Sequence, residues 1–309
     1  MTLSIIIVNF NVKPLLSRCL ESIFQEAQGL SYEVIVVDNA SDDSSVEYLK
    51  DLVSKRKELH PVKSSAFGRG AAEPLFNRVK VIFNDKNLGF AKANNQGFKI
   101  AQGEFILFLN PDTETKPGAL EKMIEFMKKN PDCGIAGPTL LGVNGKIQDS
   151  VRSFPGLFSQ ILIFLKLHHL FPLLRVFKKY FLYSFDYQKE QEVDQVMGAF
   201  LLIRREVIEE VGAFDENFYI WFEEVDFCFR AKKASWKVIY TPGSQILHYG
   251  GKSFAQIASF KKQKIFNQSA IYYFKKHHPR YQSLILEILN PLSLFLALLA
   301  DKIYGVFKR

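Results

Sequence analysis

The stretch "FILFLNPDTE" (residues 105–114) passes from five apolar residues directly into an acidic turn. A continuous apolar run of this kind is typical of a strand that is buried on both faces of a parallel sheet. Pro111 has no amide proton for a ladder hydrogen bond, so the strand must end there. The side chains that follow therefore project from the carboxyl end of the strand, where open α/β sheets bind ligands.

The residues before this stretch repeat the same kind of apolar run. Runs predicted to be strands occupy residues 3–10, 32–40, 79–85 and 104–110. Helical spacing lies between them at 13–27 and 90–102. Strands that alternate with helices predict an α/β protein with a Rossmann-like, mostly parallel central sheet flanked by helices. Residues 54–78 interrupt the alternation and are predicted to form a long basic loop.

The composition is that of an ordinary globular protein. The chain has 309 residues, 48% of them hydrophobic and 23% charged, which argues against a disordered chain. Its 40 Lys and Arg against 32 Asp and Glu give a formal net charge of +8, which suits nucleic acid, anionic lipid or a phosphorylated substrate. Cys19, Cys133 and Cys228 form no CxxC pair, so neither a zinc site nor a disulfide framework is expected. No signal peptide is recognised before the first strand, and a cytoplasmic location is predicted.

Two cationic, apolar stretches stand apart from the α/β pattern. Residues 152–185 carry five Lys or Arg and no acid, and residues 252–281 carry seven Lys or Arg and no acid. Such stretches suit the headgroup boundary of an anionic membrane. For residues 152–185, a core helix with a solvated basic edge is an equal alternative. The longest uncharged run near the C-terminus, residues 288–300, contains Pro291 and is shorter than the roughly 20 residues of a membrane span. We therefore predict a peripheral protein on the inner face of the cell membrane. No nucleic-acid partner is expected, because the positive charge is clustered with Leu and Phe.

Carboxylates follow two of the predicted strands and also occur in an aromatic stretch further along the chain. Asp38 ends the run "VIVVD", and Asp112 follows "FILFLNP". Neighbouring parallel strands present their carboxyl ends at one edge of a sheet, so these carboxylates would gather there and need a cation such as Mg²⁺ or Mn²⁺. Glu223, Glu224 and Asp226 lie in "NFYIWFEEVDFCFR", where partial desolvation would raise a carboxyl pKa and make a better general base. For any one of these acids alone, a helix cap, a turn or a solvated surface position is the simpler alternative.

Six short motifs, in order over roughly the first 250 residues, carry a family resemblance. They are "SIIIVNFN" (4–11), "VIVVDNASDDSS" (34–45), "NLGFAKANNQG" (87–97), "FLNPDTE" (108–114), "FYIWFEEVDFCFR" (218–230) and "HYGGKS" (248–253). In this series the chain resembles the family 2 glycosyltransferases with the GT-A fold, above all the rhamnosyltransferase-like members that build bacterial surface polysaccharides.

The resemblance implies a domain organisation. A GT-A domain is expected at residues 1–250, with a nucleotide-binding half at 1–115 and an acceptor half at 116–250. The acceptor half would contain the basic, apolar stretch 152–186 as an insertion. Residues 251–309 would form a helical, membrane-associating extension.

The resemblance also implies the residues of a donor site. The family's pocket for the base and ribose is matched by Asn9, Asp38 and Asn39. The segment beneath the nucleotide sugar is matched by Gly89, Asn94 and Asn95. At these positions the glycine would allow close backbone approach, and the two asparagines would offer amide groups.

The motif "NPD" at 110–112 stands where the family carries its DxD motif. Asp112 is thereby implied as the ligand of a divalent metal, Mg²⁺ or Mn²⁺, that bridges to the donor diphosphate. Asn110 replaces the first acid of that motif. Its side chain can still hydrogen-bond a ribose hydroxyl, but it carries no negative charge. Tight metal binding is therefore not expected without nucleotide. His248 matches a late HxxGxS element and is implied as a metal or diphosphate contact, whereas by itself it would be an ordinary core or surface histidine.

The motif "EEVD" matches the family's ED motif, whose second acid is implied as the general base. This points to Glu224, with Glu223 and Asp226 as neighbours that orient the acceptor or tune the pKa. The choice between Glu223 and Glu224 stays open, because Glu replaces the usual Asp at position 224.

The reaction implied is inverting transfer of a hexosyl group, with rhamnose as the first expectation, from a dTDP- or UDP-sugar. The acceptor would be a hydroxyl of a polyprenyl-diphosphate-linked molecule or a glycan. One alternative is a non-catalytic nucleotide-sugar-binding or scaffold protein of a polysaccharide assembly complex. Another is a sugar nucleotidyltransferase, although "VNFNVKPLL" lacks the glycines of a phosphate loop. Donor, acceptor and oligomeric state, including a homo-oligomer, are left open by the sequence.

Overall fold

The computed structural model describes residues 1–27, 29–58, 78–250 and 259–307. Four parallel strands form one half of the central sheet: β1 (Leu3–Asn9), β2 (Tyr32–Asp38), β3 (Val79–Phe83) and β4 (Phe105–Leu109). Every residue of β1, β2 and β4 is buried, as their continuous apolar sequences predict. The helices α1 (Lys13–Glu26), α2 (Ser45–Glu58) and α3 (Phe90–Ile100) connect these strands.

The helices lie on both faces of the sheet, and alternate residues of β1 show this directly. Leu3, Ile5 and Ile7 belong to the apolar cluster on the face covered by α1, whereas Ile6 belongs to the cluster on the opposite face. Helix α3 approaches that second face very closely, since a Cβ atom on Gly97 would lie 2.5 Å from Cγ2 of Ile6. The predicted α/β layering is therefore confirmed.

One boundary expected from the sequence is wrong. Residues 54–58 belong to helix α2 rather than to a loop, because Leu49 and Leu52 pack against the core and Lys and Arg are good helix formers. Residues 59–77, the rest of the predicted loop, lie outside the described part of the chain.

The second half of the sheet is mixed. β10 (Phe200–Arg204) runs antiparallel between β4 and β6 (Cys133–Leu141), and β11 (Lys237–His248) is parallel to β6. Two short strands, β5 (Thr113–Thr115) and β8 (Gln191–Glu192), pair antiparallel with the two ends of β11. A separate pair, β7 (Val151–Arg152) and β9 (Gln195–Val196), lies outside this sheet.

Eight further helices occur in the described part of the chain. They are α4 (Ala119–Lys129), α5 (Leu157–Phe164), α6 (Leu167–Leu170), α7 (Arg175–Tyr180), α8 (Arg205–Val211), α9 (Glu223–Lys233), α10 (Ser259–His277) and α11 (Arg280–Phe307). The stretch 152–186 thus contributes three short helices, α5 to α7.

Helices α10 and α11 form an antiparallel hairpin. The side chain of Asn267 donates to that of Asn290 at 2.9 Å, and the amide of Phe260 donates to Asp301 at 3.0 Å. Phe164, Phe222 and Phe274 join the hairpin to the α/β domain in one apolar cluster. The division at residues 250 and 251 stays a prediction, and the two parts on either side of it are packed together.

Candidate active site

A cavity of about 830 Å³ opens at the carboxyl edge of β1 and β4. Seven of the residues singled out from the sequence line it: Asn39, Gly89, Asn110, Asp112, Glu223, Glu224 and His248. Five others do not line this cavity: Asn9, Asp38, Asn94, Asn95 and Asp226. The fold thus separates the sequence candidates into two groups.

Asn9 and Asp38 face each other at the ends of β1 and β2, where they are partners in the parallel register. Nδ2 of Asn9 donates to Oδ2 of Asp38 at 2.8 Å, and the amide of Ser41 donates to Oδ1 of Asp38 at 3.0 Å. Asp38 lines a smaller neighbouring cavity together with Lys50 and Phe83. The carboxylate is therefore placed beside the main cavity, in a pocket with an aromatic and a cationic wall.

Asn39 lines the main cavity, but its side chain is committed to the loop before α3. Its Oδ1 accepts from the amide of Leu88 at 3.0 Å, and its Nδ2 donates to Oδ1 of Asn87 at 3.0 Å. Gly89 in this loop has φ +87°, and a Cβ atom there would lie 2.5 Å from the carbonyl oxygen of Tyr219. The close approach that requires glycine is therefore that of the protein's own backbone.

Asn94 and Asn95 point into the protein. Nδ2 of Asn94 donates to the carbonyl of Phe90 at 3.0 Å within α3. Asn95 makes two hydrogen bonds with the backbone of Phe214, 2.8 Å to its carbonyl and 3.2 Å from its amide. These hydrogen bonds hold α3 and the segment after α8 in place. The position of the two amides beneath the nucleotide sugar stays a prediction.

Asp112 and His248 are brought together by the pairing of β5 with β11, in which Thr113 lies opposite His248. Both side chains are buried, and Nε2 of His248 lies 3.6 Å from Oδ1 of Asp112. This separation is too long for a good hydrogen bond. Among the described residues, no hydrogen-bond partner reaches that Nε2.

Gln148 sets the state of the His248 ring. Nε2 of Gln148 donates to the backbone carbonyl of His248 at 3.0 Å, so its Oε1 faces Nδ1 of the ring at 2.7 Å and must accept. In the neutral ring the proton therefore resides on Nδ1, and the lone pair on Nε2 is directed towards Asp112. A carboxylate and a neutral imidazole in this arrangement fit a divalent metal.

The described residues do not form a complete metal site by themselves. No group of three or more His, Cys, Asp and Glu side chains among them could hold an ion. Asp112 and His248 supply two ligands, and Asn110 occupies the position where a further acid would have added charge. A metal here would depend on oxygen atoms from a bound substrate, as Mg²⁺ commonly does with phosphates.

Glu223 and Glu224 open helix α9 and line the same cavity. The two preceding residues, Trp221 and Phe222, have φ of 63° and 71°, a strained left-handed turn that starts the helix at the cavity. Burial raises the pKa of Glu223 well above its usual range, and the neighbouring Glu224 raises it further. Burial also raises the pKa of Glu224, while its backbone hydrogen bonds and the positive charge of Arg152 oppose the rise.

Asp226 lies on the other side of α9 and is fully buried. Its carboxylate accepts from Nε of Arg230 at 2.8 Å, Nζ of Lys276 at 2.8 Å and Nε2 of His277 at 2.6 Å. Burial alone would raise its pKa, but these hydrogen bonds and charges bring it below its usual range. Asp226 therefore joins α9 to α10 and does not reach the cavity that Glu223 and Glu224 line.

Comparison with known proteins identifies the chain. Residues 4–212 match the family model described as Glycosyl transferase family 2. The chain belongs to this family. One relative of this glycosyltransferase, N-acetylglucosaminyl-diphospho-decaprenol L-rhamnosyltransferase of Mycobacterium tuberculosis, is 24% identical over 81% of this chain and 77% of its own length. Rhamnosyltransferase WbbL of Escherichia coli K12 is 26% identical over 79% of this chain and 82% of its own.

Solved structures with the same fold are also glycosyltransferases. Mannosyltransferase PcManGT from Pyrobaculum calidifontis, in complex with GDP-Man and Mn²⁺, matches with a TM-score of 0.56 and 15% identity over 97% of this chain and 75% of that one. GalNAc-T7, with UDP, GalNAc and Mn²⁺, matches with a TM-score of 0.57 and 14% identity over 88% of this chain and 50% of its own. At such identities the likeness concerns the fold alone, and it confirms the expected GT-A architecture.

Three cavity residues of this glycosyltransferase were missed from the sequence. Gln148 positions the His248 ring, and Arg152 lies beside Glu224. Gly198 lies under Glu224, since a Cβ atom there would be 3.8 Å from that side chain. A single glutamine, arginine or glycine outside a motif gives no signal in sequence, because each acts through a partner far along the chain.

Proposed function

We propose that the protein is an inverting glycosyltransferase that moves a sugar from a nucleoside diphosphate sugar to a hydroxyl of a lipid-linked or glycan acceptor. One observation carries the proposal: a single cavity is lined both by Asp112 and His248 and by Glu223 and Glu224. Such a transfer needs one group that stabilises the charge of the leaving diphosphate and another that accepts the proton of the acceptor hydroxyl. Rhamnose from a dTDP- or UDP-sugar is the first donor to test, because two relatives are named rhamnosyltransferases.

The donor diphosphate would lie at the Asp112 end of the cavity. Asp112 and Nε2 of His248 would hold a divalent metal, Mg²⁺ or Mn²⁺, which supplies positive charge to the leaving diphosphate when it is bound. Asn110 lies at the same end and can hydrogen-bond a ribose hydroxyl. Asp38 and Asn9 would receive the base in the adjoining pocket.

Glu224 is the better general base of the two adjacent carboxyl groups. Glu223 is buried at 4% exposure and close to Glu224, so it keeps its proton more readily and can act as a hydrogen-bond donor to a sugar hydroxyl. Glu224 has Arg152 nearby, whose charge favours the ionised form. Neighbouring titratable groups whose pKa values are pushed apart are a common acid–base arrangement.

The deciding experiment is a screen of nucleotide sugars for release of nucleoside diphosphate with Mg²⁺ or Mn²⁺, first without and then with acceptor lipids. Slow donor hydrolysis that accelerates with acceptor supports a transferase. Binding of the nucleotide sugar without any turnover would instead favour the scaffold alternative. Formation of a nucleotide sugar from a nucleoside triphosphate and a sugar phosphate would favour the nucleotidyltransferase.

The peripheral location on an anionic membrane is part of the same proposal, and α11 supports it. The buried side of this helix carries Leu286 together with the small residues Ser283, Ser293 and Ala297. The opposite face exposes bulky apolar side chains: Tyr281, Leu284, Ile288, Leu292, Phe295 and Leu299. A helix that turns its larger apolar residues outward needs another apolar medium on that face.

Length and composition of α11 also satisfy the requirements of a membrane span. Residues Arg280–Lys302, 23 in number, contain an 18-residue window with a mean hydropathy of 2.0, so by length and composition this helix could cross a membrane. The helix nevertheless packs along α10, with Glu287 bonded to Lys275 at 2.8 Å and Asp301 to Phe260. Exposed Phe158 on α5 and exposed Leu170, Leu173 and Lys178 around α6 and α7 extend the apolar and basic surface beyond the helix. These contacts favour a helix that lies on the membrane over one that crosses it.

A further inference from the structure

Four residues that line the main cavity carry a buried side-chain atom for which no hydrogen-bond partner exists among the described residues. These atoms are Nε2 of His248, Oε2 of Glu223, Oε2 of Glu224 and Oγ of Ser150. The proposed function uses the first three, in metal binding, in hydrogen bonding to a sugar and in proton transfer. It does not use Ser150, which lies in none of the motifs that carry the family resemblance.

Only the side chain of Ser150 lacks a partner. Its amide donates to the hydroxyl of Tyr187 at 2.9 Å, and its carbonyl accepts from the amide of Met197 at 2.8 Å. Burial raises the pKa of the Tyr187 phenol and the nearby Ser150 hydroxyl opposes that rise, yet its Oγ completes no hydrogen bond with any described residue. Ser150 is 5% exposed. Unpartnered buried hydroxyl groups are rare in native proteins because each lowers the stability, so this one is suited to a polar group of a ligand.

The backbone around Ser150 directs this side chain to the cavity. Val151 is fully buried in the apolar cluster beneath the sheet, whereas Ser150 and Arg152 on either side of it line the cavity. Neighbouring residues of an extended chain point to opposite sides, which accounts for this alternation.

Ser150 also lies between the two chemical ends of the cavity. Two residues before it, Gln148 faces the ring of His248 at 2.7 Å. Two residues after it, Arg152 carries the charge that favours ionisation of Glu224. The segment 148–152 therefore runs from the proposed metal site to the proposed base.

A second strand confirms that Ser150 is close to the base. Met197, whose amide bonds to Ser150, is followed by Gly198, and a Cβ atom on Gly198 would lie 3.8 Å from the side chain of Glu224. In an inverting displacement, the acceptor hydroxyl attacks the anomeric carbon from the face opposite the leaving diphosphate. The transferred sugar must then lie between the metal site and Glu224, which is where Ser150 is placed.

We propose that Ser150 is a specificity-determining residue for the donor, and that its Oγ forms a hydrogen bond with a ring hydroxyl of the transferred sugar. The inference rests on the proposed transferase function and assigns to the same cavity a residue that recognises the sugar and not the nucleotide. A serine hydroxyl can donate to a sugar hydroxyl or accept from it. A donor that lacks this hydroxyl would be rejected, because the serine would stay buried and unpaired.

Ser150→Ala tests whether the hydroxyl serves the ligand or the fold. The thermal midpoint of unfolding should stay the same or rise, since the substitution removes a buried polar atom without a partner. Ser153→Ala is the matched control: the Oγ of Ser153 donates to the carbonyl of Lys179 at 3.0 Å, and the residue does not line the cavity. This control should lower the midpoint slightly and leave the affinity for every donor unchanged.

Calorimetry with Mn²⁺ and without acceptor then measures the sugar contact. The probes are UDP-glucose, UDP-galactose, GDP-mannose and dTDP-rhamnose, each compared with its nucleoside diphosphate. For the probe that the protein hydrolyses, Ser150→Ala should lower the affinity and the kcat/KM of hydrolysis about three- to tenfold, the effect of losing one neutral hydrogen bond. Affinity for the nucleoside diphosphate alone should not change.

Donor analogues that lack one ring hydroxyl at a time identify the contacted group. One analogue should bind the unsubstituted protein about as weakly as the intact donor binds Ser150→Ala, and the substitution should not weaken that analogue further, because the two changes remove the same hydrogen bond. Equal weakening of every analogue by Ser150→Ala would overturn the proposal. So would a loss that appears only in the KM of the acceptor.

Failure of this inference can be told apart from failure of the proposed function. Donor hydrolysis by the unsubstituted protein, with unchanged donor affinity in Ser150→Ala, would overturn the role of Ser150 and leave the transferase. Absence of nucleotide binding and of hydrolysis of all four probes in the unsubstituted protein would remove both.

Discussion

At the scale of single residues, two sets of cavity residues differ in what their side chains can do. His248 presents a lone pair towards Asp112 because Gln148 occupies the other ring nitrogen. Glu224 presents a carboxyl group whose ionisation is opposed by burial and favoured by Arg152. Asp112 and His248 are therefore suited to bind a cation, and Glu224 is suited to accept a proton.

Glu224→Gln removes the proposed base and keeps the size of the side chain. Nucleotide binding should be unchanged, and the turnover number should fall by about 10²–10⁴, the usual contribution of a positioned general base. Glu223→Gln, its neighbour, should cost less if Glu223 serves as a hydrogen-bond donor. Turnover by Glu224→Gln equal to that of the unsubstituted protein would exclude it as the base.

The activity should depend on pH in a defined direction. Because the pKa of Glu224 is raised above the ordinary value, kcat/KM should fall on the acidic side as pH drops through that raised pKa and the base becomes protonated. Glu223, Arg152 and Tyr180 are the groups that face it, and Cys228 lies one turn along α9. Arg152→Gln removes the favourable charge, so the acidic limb should move to higher pH; a limb that stays in place would show that Arg152 does not act on the base.

Asp112→Ala and His248→Ala test the proposed metal site. Each should reduce the gain in nucleoside diphosphate affinity that Mn²⁺ provides, while affinity without metal changes little. Calorimetry with and without Mn²⁺ measures this difference directly. Metal titrated in the absence of nucleotide should bind weakly even to the unsubstituted protein, since Asn110 contributes no charge. If Mn²⁺ raised the nucleoside diphosphate affinity equally in all three proteins, the assignment of Asp112 and His248 as metal ligands would be refuted.

At the scale of elements, loops and strand pairs bring the site together. The pairing of β5 with β11 sets Asp112 against His248, and the left-handed turn at Trp221 and Phe222 starts α9 at the cavity. The loop before α3 is fastened to that turn region, since the amide of Phe90 donates to the carbonyl of Tyr219 at 2.7 Å. Displacement of either loop would therefore move the other.

Gly89→Ala tests this fastening. The positive φ of Gly89 and the 2.5 Å approach to Tyr219 should together lower the free energy of unfolding by about 2 kcal/mol or more. Gly145→Ala is the matched control: its φ is +73°, but no atom lies within 4 Å of the added Cβ, so only the backbone strain of about 1 kcal/mol applies. Chemical unfolding of the two variants gives the comparison, and equal losses would mean that the contact with Tyr219 is unimportant.

At the scale of the whole molecule, the α10–α11 hairpin and the insertion 152–186 turn one side of the protein into an apolar and basic surface. Buried Asp226, with its bonds to Arg230, Lys276 and His277, fixes the hairpin to the catalytic domain. A membrane under this surface would bring a lipid-linked acceptor to the Glu224 end of the cavity. The sugar transfer and the membrane location would then both depend on the position of this surface next to the cavity.

The double substitution Lys178→Glu and Lys179→Glu tests the membrane contact. Each lysine near an anionic surface contributes about 1 kcal/mol, so reversal of both charges should weaken binding to phosphatidylglycerol-containing vesicles at least about tenfold in co-sedimentation. Lys128→Glu with Lys129→Glu on α4 makes the same charge change on another exposed pair and should have little effect. Absence of vesicle binding by the unsubstituted protein would refute the membrane contact. A dimer that dissociates on the substitution Ile288→Asn would instead show that α11 contacts a second copy of the chain.

The sequence by itself determined the fold class, the family and seven of the cavity residues. Strands buried on both faces require continuous apolar runs, and motifs at their carboxyl ends must share one edge, so both can be recognised locally. Asp112 was found in this way, whereas Glu224 and His248 were found through the motifs that carry the family resemblance. Asn110 was likewise visible as a lost charge.

Only the tertiary structure decided which candidates meet and what their partners are. Asn94, Asn95 and Asp226 resemble site residues in sequence, but the packing of α3, α9 and α10 directs them into the protein. Gln148 lies 100 residues from the histidine that it orients, and Arg152 lies 72 residues before the glutamate whose charge it favours. Such contacts depend on how distant segments pack, and no local pattern encodes them.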